Sequence, residues 1–310
     1  MKDNNYVYPK LAKRDFGLFT VNGSGLANLL YMYTRALIYA KKNNLQIIWP
    51  TWFSIQLDRI IKCKKDKRWY NDLFVNRSGY IGGWKKLLLL ATKKKILITQ
   101  EIPNNLNEYK NTIFCFWGFY GHPLENIKND SSILLTDLIR NLHKKNLKVF
   151  QYDFNNKIGI HIRLDDFKTY NTNDISIKLN SRIPLQWYVN TINRIRMVIS
   201  SEILIEIYSD GTKEELSQVL QMPNVKKITF GTAIADMLAL SKYKLLIGSG
   251  STFSVLARYL GRMDSISPKN QIREHVLTEH DESYEIELGM NENIPDFFNI
   301  QISTLFGENW

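Results

Sequence analysis

The sequence is poor in cysteine, in long apolar runs and in targeting signals. Its two cysteines, Cys63 and Cys115, have no metal-ligand neighbours at a useful spacing, so no zinc module is expected. One disulfide is arithmetically possible, but a reducing compartment favours two free thiols. The most apolar stretches, such as residues 87–91, are far shorter than the roughly 20 residues of a membrane-spanning helix. The first residues lack the apolar core of a signal peptide, which predicts a cytoplasmic location.

Negative charge is also scarce, because 41 Lys and Arg stand against 30 Asp and Glu, a formal net charge of +11. Three explanations stay open: nucleic-acid binding, contact with an anionic membrane surface or a phosphorylated lipid acceptor, and a lysine-rich surface without a specific partner. No nucleic-acid recognition motif is present, so we expect no nucleic-acid partner. The basic runs at 62–68 and 93–95 lie in the first half and would suit an acceptor or a peripheral contact at the inner membrane face.

Length and composition predict a two-domain globular protein. The hydrophobic fraction is 44% and the charged fraction 23%, both ordinary for a globular chain. A chain of 310 residues is long enough for two domains of roughly 150 residues each. The polar segment at 144–156 is the candidate boundary, which gives domains at 1–150 and 151–310.

Both halves alternate between strand and helix patterns. In the first half, a strand at 16–21, a glycine turn at 22–25, a helix at 26–42 and a strand at 46–49 form a β-α-β crossover unit. Further strand and helix patterns follow along the chain: strands at 96–99, 112–116, 157–162, 203–208, 225–230 and 244–247, and helices at 185–199, 212–220, 233–241 and 252–260. This alternation predicts doubly wound parallel sheets.

Ligands of open parallel sheets bind at the carboxyl ends of the strands, and the polar clusters of the second half fall at such ends. Residues 248–254, Gly-Ser-Gly-Ser-Thr-Phe-Ser, follow one strand and open a helix. Exposed backbone N–H groups, hydroxyls and the positive end of the helix could hold a diphosphate there. The alternative is an ordinary capped turn between strand and helix.

Four further polar residues are candidates for the same edge. Arg163 is a fixed cation suited to two phosphate oxygens, and His161 could bind a base, a ribose or a phosphate. A core histidine and a surface ion pair of the arginine are the structural alternatives. Asp236, near the start of a helix, could accept from N1–H and N2–H₂ of guanine, and Asp210 ends another strand. Favourable placement in the helix dipole would explain these carboxylates equally well.

Together these segments resemble the α1,2, α1,6 and protein-O fucosyltransferases. His161, Arg163 and Asp166 fit the pattern His-x-Arg-x-x-Asp of that superfamily. The sequence is most similar to the bacterial α1,2-fucosyltransferase family, although Leu164 and Asp165 replace its second arginine and its glycine. Other segments resemble that family in the same order along the chain: residues 25–31, 116–120, 208–210, 234–241 and 250–254.

The resemblance implies an α/β fold of the GT-B type, in which two Rossmann-like domains face each other across a cleft. Residues 1–150 would form the acceptor-side domain and 151–310 the nucleotide-sugar-binding domain. The resemblance also implies roles for single residues. Arg163 and Asp166 would act in catalysis, with Arg163 bound to the β-phosphate, and His161 and Asp236 would bind guanine. The remaining donor-binding residues would be Asp210, then Ser251, Thr252 and Ser254 on phosphate, and Gly23, Gly25 and Asn28 on the donor side of the first domain.

The resemblance implies inverting transfer of fucose from GDP-L-fucose to a glycan hydroxyl, with an α1,2 linkage, in surface polysaccharide or glycan synthesis. No Asp-x-Asp metal signature stands at the expected position, so we expect a metal-independent enzyme without a cofactor. Asp166 and His122 are candidates for the general base. A transferase that uses another GDP-sugar and a non-catalytic protein that binds glycans or nucleotides are the alternatives. The oligomeric state stays open.

Overall fold

The computed structural model describes residues 4–56, 61, 69–99, 103, 105–118, 122–164, 181–199 and 202–307. Contacts between Cα atoms divide the chain into two compact units, Met1–Leu147 and Lys148–Trp310. Each unit is built around a parallel β-sheet.

The first unit contains a four-stranded parallel sheet in the order β4-β1-β7-β6. Its strands are β1 (Tyr6–Pro9), β4 (Gln46–Ile47), β6 (Lys94–Ile98) and β7 (Thr112–Phe116). A small three-stranded sheet is formed by β2 (Arg14–Asp15), β3 (Thr20–Val21) and β5 (Ser54–Ile55). The predicted strands at 96–99 and 112–116 are confirmed as β6 and β7.

The strand predicted at 16–21 is wrong for most of its length. Only β3 is a strand there, and it pairs with β2 and β5 outside the main sheet. β1 pairs with β4 instead. The four residues of β1 are buried, whereas Phe16 and Leu18 are exposed. Burial in the sheet therefore selects the earlier segment, although both are apolar enough for a strand.

The helices of the first unit are α1 (Leu26–Lys42), α2 (Gly83–Thr92) and α3 (Ser131–Asn141). Short 3-10 turns lie at Leu106–Glu108, Glu125–Asp130 and Lys144–Gln151. α1 has the predicted bounds. It is buried along most of its length, and Lys41 and Lys42 in its last turn offset the negative end of the helix dipole.

The second unit contains a six-stranded, fully parallel sheet in the order β10-β9-β8-β11-β12-β13. Its strands are β8 (Lys157–Ile162), β9 (Leu204–Ser209), β10 (Val225–Lys227), β11 (Leu245–Ile247), β12 (Asp264–Pro268) and β13 (Glu285–Leu288). Its helices are α4 (Leu185–Arg196), α5 (Ser217–Leu220), α6 (Ala233–Leu240), α7 (Thr252–Gly261) and α8 (Asp296–Phe306).

The core of this unit is rich in isoleucine from the inner strands, as expected for a parallel sheet covered on both faces. Several predicted elements are shorter in the structure: α4 ends at Arg196, three residues before its predicted end, and β4 ends at Ile47, two residues before. β10 ends at Lys227, three residues before the predicted strand end, and α5 forms only the last turn of the predicted helix at 212–220. The elements after residue 261 had no prediction. Across the described ranges, no helix combines the length and the apolarity needed to cross a membrane.

Candidate functional site

The candidate site lies at the carboxyl edge of the second unit's sheet. The four strands that carry the predicted polar residues are neighbours in the order β10-β9-β8-β11, and all are parallel. His161 lies one residue before the end of β8, and Asp210 follows β9 directly. The segment 248–254, here called the serine loop, follows β11 and leads into α7. The strand order therefore brings these segments to one edge, as the sequence predicts.

His161 is buried against the hydroxyls of the serine loop. Its Nδ1 lies 2.8 Å from Ser254 Oγ, 3.2 Å from Ser249 Oγ and 3.3 Å from Ser251 Oγ. The ring also stacks on Phe253, with centroids 4.8 Å apart. One histidine on β8 therefore contacts much of the loop that follows β11.

The imidazole of His161 is neutral at physiological pH. Burial lowers its pKa from 6.5 to about 3, and the positive charge of Arg163 acts in the same direction. Ser254 Oγ accepts from the Ser249 backbone N–H at 3.1 Å, so its own proton can be donated to His161 Nδ1. This arrangement favours the tautomer with its proton on Nε2, which makes Nε2–H the donor of the ring.

Arg163 and Asp210 form an ion pair across the ends of β8 and β9. Arg163 Nη1 lies 3.0 Å from Asp210 Oδ2. The other carboxylate oxygen accepts from the Leu164 backbone N–H at 2.8 Å. Asp210 therefore fixes both the guanidinium and the backbone that follows it. The surface ion pair given above as the structural alternative for Arg163 is present, with Asp210 as its partner; Asp165 and Asp166 lie outside the described residues.

Asp236 lies in the first turn of α6, near the end of β10. It accepts from the Phe230 backbone N–H at 2.6 Å and from Thr229 Oγ1 at 2.9 Å. Burial raises its pKa, and these hydrogen bonds oppose that shift. An ionised carboxylate has about four acceptor positions, so Asp236 keeps acceptor capacity after both bonds.

The serine loop is closely packed and capped. Ser251 is the N-cap of α7 and accepts from the Ser254 backbone N–H, while Thr252 is the first helical residue and half-buried. A Cβ at Gly250 would lie 2.2 Å from Gln271 Oε1, so the loop has no room for a side chain there. Arg273 Nε donates to the Gly250 carbonyl at 2.7 Å, which brings a second cation to the loop.

The predicted residues of the first unit surround the start of α1. Gly25 is the N-cap of this helix, without a side-chain cap. The Gly23 backbone is held by Ser54 and Gln56, and a Cβ there would lie 2.9 Å from Ser54 Oγ. Asn28 Oδ1 is buried and accepts no hydrogen bond from the part of the chain that the structure describes. The three residues therefore lie close together in the chain, in the turn before α1 and in the first turn of that helix.

The other candidate residues lie in the first unit or outside the described residues. Asp166 lies outside the described residues, and His122 is exposed in the first unit. Cys115 is a buried free thiol, whose pKa burial raises to about 11, and Cys63 is not among the described residues. Within the described ranges, no three His, Cys, Asp or Glu side chains group in a way that could hold a metal ion. The predicted independence from metal stays a prediction.

Sequence reasoning did not single out three residues that shape the site: Ser249, Phe253 and Arg273. The first two lie inside the predicted loop, where the run of small polar residues is a usable signal. Arg273 lies 23 residues beyond the glycine that it contacts and has no motif of its own.

Comparison with known proteins gives a fold but no sequence family. No family model matches the chain, and no curated protein matches it by sequence. NodZ α-1,6-fucosyltransferase soaked with GDP-fucose has 13% identity and a TM-score of 0.51, over 86% of this chain and 96% of that one. The same enzyme co-crystallised with GDP gives the same values. Fucosyltransferase NodZ from Bradyrhizobium follows at 12% identity and a TM-score of 0.48, over 82% and 93%. The chain therefore has the fold of the NodZ α-1,6-fucosyltransferase, an α/β architecture of the GT-B type.

Proposed function

We propose that this protein is a glycosyltransferase that moves fucose from GDP-L-fucose to a hydroxyl of a glycan. The observation that carries the proposal is the carboxyl edge of the β10-β9-β8-β11 strands, where a cation, a neutral histidine, a carboxylate and a capped serine loop follow neighbouring strands. Parallel sheets bind nucleotides at this edge. The fold shared with NodZ α-1,6-fucosyltransferase, a structure soaked with GDP-fucose, supports the same assignment.

In this proposal Arg163 binds the β-phosphate. The bond from the sugar to the diphosphate breaks, and negative charge grows on the leaving GDP. A guanidinium held in place beforehand stabilises that charge without reorganising during the reaction. Asp210 supplies this preorganisation through its 3.0 Å contact with Arg163 Nη1 and its bond to the Leu164 N–H. Asp210 is thus proposed as a positioning residue of the donor site.

The serine loop and the two guanine candidates complete the proposed donor site. Ser251 and Thr252, at the positive end of α7, hold phosphate oxygens, and Ser254 supports this cluster through its hydrogen bond to His161. Asp236 uses its remaining acceptor capacity on guanine N1–H and N2–H₂, and His161 offers a neutral N–H donor to the base. His161, which would contact guanine, is already hydrogen-bonded to the hydroxyls of the serine loop, which would contact the phosphates. Binding of the guanine and binding of the phosphates are therefore coupled through these hydrogen bonds.

The acceptor side of the proposal concerns the first unit. Gly23, Gly25 and Asn28, which lie around the start of α1, are the proposed ligand-binding residues of the first unit. We propose inversion at the anomeric carbon and an α1,2 linkage within surface glycan synthesis. A dissociative transition state, in which the leaving group departs early, needs little help from a general base. Asp166 is the proposed base, which accepts the proton of the acceptor hydroxyl. A cytoplasmic location belongs to the same proposal.

Removal of the Arg163 charge tests the donor site. We expect Arg163→Ala to lower turnover about 10²–10³-fold, because a preorganised contact to the leaving group is lost. GDP should raise the melting temperature of the wild-type protein and should raise that of the variant much less. The measurements are thermal shift with GDP and transfer from a panel of nucleotide sugars.

Arg182→Ala is the matched control, since Arg182 is also an arginine in the second unit and pairs with Glu215 at 3.7 Å. It should leave both readouts unchanged. Wild-type turnover by Arg163→Ala would contradict the assignment. Transfer from another GDP-sugar alone would replace fucose as the donor, and GDP binding without any transfer would point to a non-catalytic nucleotide-binding protein.

A further inference from the structure

The second helix of the first unit leaves large apolar side chains in solvent. Trp84 in the first turn of α2 is 86% exposed, and Leu88, one turn later, is 62% exposed. Residues four apart lie on one face of a helix, so the two form a single exposed stripe. Leu89, on another side of α2, is buried in the core of the first unit. An exposed tryptophan and leucine on one helix face are unusual for a surface that meets only water.

A loop that packs on α2 carries two further exposed apolar side chains. A Cβ at Gly17 would lie 2.9 Å from Leu87 Cδ2 and 3.2 Å from Leu90 Cδ1, so this loop packs directly on α2. The residues on either side of Gly17 point outward, with Phe16 59% and Leu18 65% exposed. We define the α2 face as Phe16, Leu18, Trp84 and Leu88.

Exposed lysines occur near both ends of α2. Lys85 lies next to Trp84, and Lys94 and Lys95 begin β6, the strand that directly follows α2. All three lysines are exposed, and none forms an ion pair with a described residue. Lys85 and Lys41 also line an open cavity of about 290 Å³, whose lining residues include no Asp or Glu.

The charge of the whole chain is concentrated in the unit that carries this face. Residues 1–147 contain 24 Lys and Arg and 10 Asp and Glu, a formal net charge of +14. Residues 148–310 contain 17 and 20, a net charge of −3. A general preference for lysine would make both units basic, so the asymmetry indicates an anionic partner for the first unit.

We infer that the α2 face binds the surface of an anionic lipid bilayer, with Trp84 and Leu88 entering the interface and the exposed lysines of α2 and β6 meeting the phosphate headgroups. Tryptophan favours the depth at which a membrane changes from apolar to polar, and lysine side chains reach from apolar surroundings to phosphates. A basic, apolar helix face of this kind lies in the membrane plane and does not cross it. The inference does not depend on the donor chemistry of the second unit.

Co-sedimentation with vesicles tests this inference. The full-length protein should bind vesicles of phosphatidylcholine mixed with phosphatidylglycerol, and bind phosphatidylcholine vesicles much less. Trp84→Glu and Leu88→Glu should each lower the affinity roughly tenfold or more, because a buried apolar contact is lost. Replacement of Lys94 and Lys95 by Gln should cost about fivefold per lysine and weaken the dependence on salt.

Ile300→Glu is the matched control, because Ile300 is 68% exposed on a helix of the acidic second unit. It should leave vesicle binding unchanged. Equal binding to both kinds of vesicle, no binding at all, or an equal loss in the control would overturn the inference.

The inference would also be overturned if a second copy of the chain binds the α2 face. In that case, Trp84→Glu changes the mass measured by light scattering with no vesicles present. The GDP-induced thermal shift should survive in all four variants, which separates this test from that of the donor site.

Discussion

At the scale of single residues, burial decides what His161 can do. An exposed histidine would be partly charged near neutral pH, but this ring is 6% exposed and lies beside a guanidinium. Its pKa of about 3 keeps it neutral throughout the physiological range. His161 therefore acts as a fixed hydrogen-bonding group that joins β8 to the serine loop, and not as a proton carrier.

This shifted pKa predicts a loss of stability in acid. The folded-state pKa lies below the ordinary value of 6.5, so between these two values the unfolded chain binds a proton that the folded chain does not. The free energy of unfolding therefore falls as the pH drops from about 6.5 towards 3. His161→Gln should remove this contribution, which amounts to about 2 kcal/mol between pH 6.5 and pH 5.

Urea denaturation of the wild type and His161→Gln at several pH values measures this difference. His122→Gln is the control, since His122 is exposed and should leave the pH dependence of the wild type intact. Parallel pH profiles for the wild type and His161→Gln would show that His161 titrates normally in the folded chain.

At the scale of elements, the start of α7 combines a structural and a proposed functional role. Ser251 caps the helix through the Ser254 N–H, and its hydroxyl also lies 3.3 Å from His161 Nδ1. Thr212, followed three residues later by Glu215, matches the sequence pattern of a capping box, and each side chain accepts from the other's backbone N–H. Ser251 and Thr212 thus accept equivalent backbone bonds in the same unit, and only Ser251 lies in the candidate site.

This pair separates stability from binding. Ser251→Ala and Thr212→Ala should each lower the free energy of unfolding by about 1 kcal/mol, because each leaves a backbone N–H without its side-chain acceptor. Only Ser251→Ala should also weaken GDP binding, through the loss of a hydroxyl from the serine loop. Chemical denaturation and GDP titration by calorimetry provide the two measurements. An equal effect of both variants on GDP affinity would assign Ser251 a purely structural role.

At the scale of the whole molecule, the two units differ in both core and charge. The second unit has an isoleucine-rich core around its six-stranded sheet, whereas buried tyrosines and β7 residues form a core cluster of the first unit. Self-repulsion destabilises a compact body of high net charge, and salt screens this repulsion. The first unit, at +14, should therefore gain stability from salt, while the second unit, at −3, should gain little.

Scanning calorimetry of the full-length protein should then show two transitions with different sensitivities. Added salt should raise one of them, assigned to the first unit. GDP should raise the other, by about 2.7 kcal/mol of stability at a concentration 100 times its dissociation constant. A single transition, or one transition that responds to both additions, would contradict independent cores and a GDP site carried by the second unit.

The sequence alone determined those features that depend on neighbouring residues. The apolar spacing of α1, the strand patterns of β7 and β8 and the capping box at Thr212 are local signals, and all of them are present in the structure. The succession of strands and helices also predicted parallel sheets and the edge at which the polar residues meet.

Tertiary structure decided what depends on partners far apart in the chain. Whether 6–9 or 16–21 enters the first sheet depends on which segment the core can bury, and both are apolar. Asp210 pairs with Arg163, and Arg273 reaches Gly250, only because the strand order brings their loops together. The neutral state of His161 follows from the desolvation that three serines and Phe253 impose. The periodic spacing of apolar residues predicts the helices and strands. The contacts named here arise from packing between strands that are far apart in the chain, and the sequence has no local signal for them.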